Sequence, residues 1–347
     1  MSAARAWGEA LGRARIASVP ADFRVTEQLG FSADGDGPHL LVEIEKMGLS
    51  TIEAMKRIAT HWQVASQAMG YAGRKDRQAV SRQFLTLPWP VNADLPAPET
   101  LVDEADTALH VRSVARHRRK LRIGSLLGNR FELCLREVRG DRSALDQRLG
   151  QIARAGVPNY FGAQRFGRGG QNVAQASAWF AGKRRPRGRS ERSMLLSAAR
   201  SECFNQVLSA RVEAGDWNQI SLHDRVILDG RGSHFGVDPT ALDNLQARCA
   251  GLNVHPTGPL PGTPRTGLVL SEALEQREIA LLQPLQGLID GLIDKGVEAD
   301  RRALRLRVAG LAWYWPSPDQ LSLTFSLARG AFATTVLREL IEPDAST

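Results

Sequence analysis

The stretch Leu321-Ser322-Leu323-Thr324-Phe325-Ser326-Leu327 decides the fold. Large apolar side chains alternate with small hydroxyl ones, which is the two-residue period of a strand with one buried face. It follows a long middle region in which helical spacing dominates: Gln171 to Phe180, Ser193 to Val212 and Ser271 to Lys295. Gly- and Pro-rich stretches, notably Pro256 to Gly267, separate these helices and read as loops. Ahead of the middle lie strand-like runs at Phe23 to Leu29, His39 to Glu45, Phe84 to Leu87, Leu109 to Val114 and Arg130 to Val138. Strand character returns at Ala303 to Val308 and 321 to 327, before a last helix from Ala331 to Ile341. Strands, then helices, then strands again predict an α+β domain interrupted by an insertion, with both chain ends in that domain.

Working outward, Ser50-Thr51-Ile52-Glu53 has the spacing of a capping box, and Ile52, Met55 and Ile58 continue it as a helix. Between that helix and the strand at Phe84 lies Gly70-Tyr71-Ala72-Gly73-Arg74-Lys75-Asp76-Arg77-Gln78-Ala79-Val80-Ser81-Arg82-Gln83. This loop sets one carboxylate, Asp76, among the cations Arg74, Lys75 and Arg77. Neighbouring positive charge keeps a carboxylate ionised, and loops carry much of a protein's chemistry on their exposed surface. Alone, the pattern reads more readily as a solvated loop than as a site.

The 347 residues suggest about two domains, and 43% hydrophobic content is ample for real cores. A formal charge of +8 favours polyanionic partners, nucleic acid before an anionic membrane. Cys134, Cys203 and Cys249 are widely separated, so neither a zinc site nor a disulfide framework is read from them. No apolar run approaches the roughly 18 residues of a membrane span, and the N-terminal residues lack a continuous apolar core. The cytoplasm is therefore the expected compartment.

From Thr107 to Phe131 there is no acid, while Arg112, Arg116, Arg118, Arg119, Lys120, Arg122 and Arg130 fall in the same stretch. A second run, Lys183-Arg184-Arg185-Pro186-Arg187-Gly188-Arg189, lies in the proposed insertion. Unbalanced cationic surfaces of this kind hold phosphate backbones. No Walker A loop, dinucleotide-binding GxGxxG, HExxH or GxSxG elbow is present, and the histidines are scattered. The sequence predicts no metal and no cofactor, and leaves Asp76 as the main candidate for chemistry.

Several segments together resemble the TruD family of tRNA pseudouridine synthases. They are Pro20-Ala21-Asp22-Phe23-Arg24-Val25-Thr26-Glu27, Gly73-Arg74-Lys75-Asp76, Arg116-His117-Arg118-Arg119-Lys120-Leu121 and Gly128-Asn129-Arg130-Phe131. Asn159-Tyr160-Phe161-Gly162-Ala163-Gln164-Arg165-Phe166-Gly167 and Gly330-Ala331-Phe332-Ala333-Thr334 follow in the family's order. The resemblance implies a pseudouridine-synthase catalytic domain with a mixed, mainly antiparallel sheet, interrupted by a helix-rich α+β insertion. Its expected bounds are 1–156 and 306–347 for the catalytic domain and 157–305 for the insertion. It implies a cofactor-free isomerase acting on tRNA, at uridine 13, with Asp76 as the catalytic nucleophile and no obligate protein partner. Phe23, Asn129 and Phe332 match uridine-binding positions, and Phe131 matches the aromatic near the target base. Arg116, Arg118, Arg119 and Lys120 are expected on the RNA backbone.

One departure stands out. The family's lysine ahead of the Pro-Glu-Asp-Phe segment, paired with the catalytic aspartate, is Ala17 here. Arg15 is the expected substitute, with Lys75 or another cation as the alternative and impaired catalysis as the third outcome, because a cation beside Asp76 would hold it ionised and oriented. The competing reading is an RNA-binding or RNA-chaperone protein with weak or no catalysis.

Overall fold

The structure is a computed structural model and describes residues 3–344. The chain forms β1 (Gly12–Ile16), β2 (Phe23–Gln28), β3 (His39–Met47), α1 (Thr51–His61), β4 (Gly70–Tyr71), β5 (Val80–Pro88), β6 (Thr100–Glu104), β7 (Thr107–His117) and β8 (Gly128–Gly140). Next come α2 (Arg142–Ala155), β9 (Val157–Pro158), α3 (Gln171–Phe180), α4 (Arg189–Glu213), β10 (Arg225–Leu228), β11 (His234–Gly236) and α5 (Leu242–Ala250). They are followed by β12 (Val254–Leu260), α6 (Glu272–Leu282), α7 (Gln286–Asp294), β13 (Asp300–Ala303) and β14 (Arg305–Leu306). The last elements are β15 (Ala309–Ser317), β16 (Gln320–Ala328), α8 (Ala333–Leu337) and β17 (Glu342–Pro343).

Two compact units result. The first takes residues 12–141, 309–330 and those from 341 on; the second takes those up to 11, with 142–308 and 331–340. The division departs from the expected bounds at α2, whose Arg148 donates to the carbonyls of Glu9 and Glu339 inside the second unit, and at the residues up to 11 and 331–340, which also fall in the second unit rather than with the first.

The first unit is built on one sheet in the order β15-β16-β8-β2-β5-β3-β7-β6, with β1 beside β8 and β17, and β4 beside β5. It is mixed and mainly antiparallel: β2 runs parallel to β5, and β1 to β17. Leu40, Val42 and Ile44 occupy alternate positions of β3 and are fully buried with Leu85, Leu87 and Leu109. Helix α1 covers them with Ala54, Met55 and Ile58. Each large side chain there contributes about 1.5–3 kcal/mol through burial. The capping box fixes where α1 starts. Ser50 Oγ accepts from the Glu53 N–H at 3.3 Å and Glu53 Oε2 accepts from the Ser50 N–H at 2.7 Å.

The second unit holds a four-stranded antiparallel sheet, β11-β10-β12-β13, and packs α3, α4, α6 and α7 around Ala176, Leu195, Ala199, Cys203, Leu288 and Leu292. β12 was expected to be loop from Pro256 onward, yet Val254 to Pro259 are buried. Burial there overrides the breaker composition. The helix expected from Ser271 to Lys295 is two helices joined by a 3-10 turn at Gln283–Leu285. Pro284 breaks it, because proline lacks the N–H and clashes with the preceding turn. The strand expected over Ala303 to Val308 is instead the short pair β13 and β14, and the last helix spans only Ala333–Leu337.

Candidate active site

Strand order places three candidate segments side by side in the first unit. β8 carries Asn129 and Phe131, its neighbour β2 starts with Phe23, and β5, parallel to β2, begins just after the Asp76 loop. Glu27 lies directly opposite Asn129, Val25 opposite Phe131, and Phe23 opposite Leu133, so these residues share one face. Phe131 is buried. Its ring stacks on Phe325 at 5.4 Å between centroids and meets the edge of half-buried Phe23 at 6.2 Å. Phe131 thus supports Phe23 from behind, and Phe23 is the more reachable π face.

The Asp76 loop is held by its main chain. The Lys75 N–H donates to Thr51 Oγ1 at 2.9 Å, the Asp76 carbonyl accepts from Lys46 Nζ at 2.7 Å, and the Arg77 carbonyl accepts from the Gly48 N–H at 3.0 Å. The Arg77 guanidinium also pairs with Glu53 of the α1 cap. Against this rigid backbone the Asp76 residue is exposed, and among the described residues its carboxylate forms no ion pair. A fixed frame presenting a free carboxylate is a suitable arrangement for a nucleophile, since little motion is left to freeze when a substrate docks.

Lys75 points away from solvent into the sheet face. Its Nζ lies 3.1 Å from Glu27 Oε1, with side-chain exposures of 6% and 0%. The same ammonium donates to Asn129 Oδ1, and Glu27 Oε2 accepts from the Phe84 N–H at 3.0 Å. Gly73 sits close beside this pair: a Cβ there would lie 3.2 Å from Glu27 Oε1 and crowd it. With its oxygen committed to Lys75, Asn129 has its Nδ2 donors left to offer a ligand.

Arg15 is held elsewhere. It pairs with Glu137 at 2.8 Å and sits opposite Arg136 in the sheet, roughly 20 Å along β8 from Asn129 by strand geometry. Ala17 is exposed, in the left-handed region at φ 55°. Lys46, which sequence reasoning missed, donates to the Asp76 main-chain carbonyl and feels the Asp76 charge. Lys46 is fully buried, and burial pushes its ammonium down to about 8, with the Asp76 charge opposing that fall. Its signal was legible: a lysine in the same phase of β3 as Leu40, Val42 and Ile44. Glu27 carries the same signal on β2, in phase with Phe23 and Val25.

Phe332 belongs to the second unit, where it is the half-buried N-cap of α8. The acid-free run is not acid-free in space. Arg118 pairs with Asp36 at 2.8 Å, and Arg116 donates to the carbonyls of Trp89, Pro90 and Ala93. Lys120 donates to the Gln67 carbonyl, and exposed Arg119 has no acid partner among the described residues. Among the described residues there is no cluster of His, Cys, Asp and Glu suited to a metal, and no helix is long and apolar enough to cross a membrane.

A family model for tRNA pseudouridine synthase D (TruD) matches residues 9–175 and 189–340. A tRNA pseudouridine synthase D from Pseudomonas fluorescens (strain Pf0-1) is 43% identical over 343 residues, which cover 97% of this chain and 94% of that one. A protein of the same description from Xanthomonas campestris pv. campestris (strain 8004) is 44% identical over 352 residues, with the same coverage. A crystal structure from Methanosarcina mazei, assigned to tRNA pseudouridine synthase D, shares the fold with a TM-score of 0.74 at 20% identity, over 97% of this chain and 95% of that one. Matched along nearly its whole length by model and relatives alike, the chain belongs to the tRNA pseudouridine synthase D (TruD) family.

Proposed function

We propose that this isomerase converts uridine to pseudouridine in tRNA, at uridine 13 by its family resemblance, with Asp76 as the nucleophile. The observation that carries the reading is the Asp76 loop itself, pinned through Lys75, Asp76 and Arg77 while the carboxylate stays exposed and free of ion pairs. In the reaction the N1–C1′ bond breaks, the base turns, C5 joins C1′, the C5 proton leaves and N1 gains one. Reactant and product have the same atoms, so no redox partner enters the balance. The Asp76 carboxylate attacks C1′ or the base C6 to cover the interval in which the glycosidic bond is open. The uridine is taken out of the RNA stack, laid on Phe23 and held by the Asn129 amide. The role of Phe332 rests on the resemblance alone.

Lys46 takes the place of Arg15 and Lys75 as the cation for Asp76. It steadies Asp76 through the main-chain carbonyl and through its charge. Arg116, Arg118, Arg119 and Lys120 meet the RNA backbone, with Arg119 the most available of them. A tRNA substrate places the chain in the cytoplasm.

The test is incubation of purified protein with unmodified tRNA, followed by mapping of pseudouridine. Product from wild type and none from Asp76→Asn supports the reading. Tight binding without product from either would make the chain an RNA-binding protein. Product from both would remove Asp76 from its role.

A further inference from the structure

Within the second unit, two guanidiniums approach the ring of Phe161. Arg302 Cζ lies 4.1 Å from the ring centroid and Arg165 Cζ 5.6 Å. Arg165 Nη1 donates to Ser197 Oγ at 2.9 Å. Arg200, one turn further along α4 from Ser197, donates to the carbonyls of Leu260 and Glu298 at 3.2 and 3.0 Å. Phe161, Ser193, Ser197, Arg200 and Leu260 help line a pocket of about 260 Å³.

Among the described residues, no carboxylate lies within ion-pair distance of Arg165 or Arg200. Two other arginines of this unit are set differently. Arg211 is paired with Asp224 at 2.9 Å and Arg301 with Glu278 at 2.5 Å, all with little exposure. Burial lowers the pKa of Arg165 and of Arg200, with only Asp300 countering at Arg200 from beyond contact. Burial also pushes Arg302 down to about 10, and the charge of Arg165 adds to that fall. Arg165 and Arg200 thus bring positive charge to Ser197 beside a pocket, and among the described residues the Nε of each is buried without a hydrogen-bond partner.

We propose that Arg165, Arg200 and Ser197 bind a backbone phosphate of the RNA substrate. Guanidinium forks and a hydroxyl are donors suited to phosphate oxygens, and Phe161 with Leu196 offers an apolar wall to the adjoining ribose. The inference rests on the tRNA reading above and adds a contact to it.

The experiment measures tRNA affinity by fluorescence anisotropy over a salt series, with the full chain. Arg165→Gln and Arg200→Gln are each expected to bind about tenfold more weakly. Each should also lower the salt slope by about one. Ser197→Glu guards against simple misfolding, because it supplies the missing carboxylate from within. It should melt at or above the wild-type temperature and yet bind tRNA at least about tenfold more weakly. Wild-type affinity and slope in Ser197→Glu would overturn the site and leave these arginines as packing for Phe161. Inorganic phosphate that raises the melting temperature of wild type but not of Arg165→Gln, with tRNA binding unchanged in every variant, would assign the pocket to a free anion and overturn the RNA contact. Wild-type protein that binds no tRNA overturns this site together with the reading it rests on.

Discussion

Two lysines flank Asp76 in opposite electrostatic settings. Lys75 is buried against a carboxylate, Glu27, and hands its remaining hydrogen bond to Asn129. Lys46 is buried more completely, and its one described hydrogen-bond acceptor is the main-chain carbonyl of Asp76. A compensated charge can be stored indefinitely as structure. One whose opposing charge acts only from beyond ion-pair contact, as Asp76 does on Lys46, keeps a measurable cost and a shifted titration, and functional sites concentrate groups of that kind. The contrast recurs in the second unit, where Arg211 and Arg301 have acids and Arg165 and Arg200 have none within ion-pair distance among the described residues.

The carboxylate between the two lysines should show the largest effect. Asp76→Asn keeps the shape of the side chain and removes the proposed nucleophile, so single-turnover pseudouridine formation should fall by about 10⁴-fold or more, as it does where an essential nucleophile is lost. The fold should survive, because the loop is held by main-chain bonds that the substitution leaves in place. A rate within tenfold of wild type would detach the chemistry from this loop.

Lys75→Met breaks the compensated side. It leaves Glu27 charged and buried without its partner, at a cost of about 3–5 kcal/mol in unfolding experiments. Adding Glu27→Gln should recover most of that loss, since a neutral pair no longer carries an unmatched charge. Activity should not recover with it, because Asn129 has lost the donor that fixes its amide. If the double variant regained full turnover, the Lys75–Asn129 contact would have no part in positioning the base.

Much of this was legible beforehand. The strands at Phe23, His39, Leu109, Arg130 and Leu321 and the cap at Ser50 all lie where alternation and spacing put them. The resemblance also named the loop that the structure shows pinned. What escaped was pairing at a distance. Alternation in β3 marks Lys46 as inward, but only the fold shows that it meets a carbonyl thirty residues on. Arg15 looked available because Glu137 is far away in sequence, though β1 and β8 bring the two together. Arg118 looked unbalanced for the same reason, with Asp36 on the neighbouring turn.

Lys46 supplies a test in which stability and activity move in opposite directions. Its ordinary value is 10.5 and burial lowers it to about 8. Below pH 8 the lysine is protonated in both folded and unfolded chains, and the cost of burying its charge is fully present. Between about 8 and 10.5 the unfolded chain holds a proton that the folded chain has shed, so this group makes stability rise with pH. Over the same interval activity should fall, as the cation beside Asp76 is lost. Lys46→Met should flatten the stability rise and lower turnover about tenfold at pH 7, the worth of one charge-assisted hydrogen bond. A pH–rate profile in that variant with an unchanged descending limb would assign the limb to another group.

The smallest effect carries the comparison to the surface. Arg119 has no acid partner among the described residues, whereas Arg118 holds Asp36 through Nε and Nη2 at 2.8 and 2.9 Å. If compensation governs which cations are free for phosphate, Arg119→Ala should lower the salt slope of tRNA binding by about one. Arg118→Ala should lower it by less, because removing that cation also releases an anion beside the RNA. Asp36→Asn should then tighten binding, by freeing the Arg118 guanidinium. Equal slopes for the two arginine variants, with no gain from Asp36→Asn, would show that solvent already screens the Arg118–Asp36 pair. The rule drawn from Lys46 and Lys75 would then be confined to buried charges, where water cannot do the compensating.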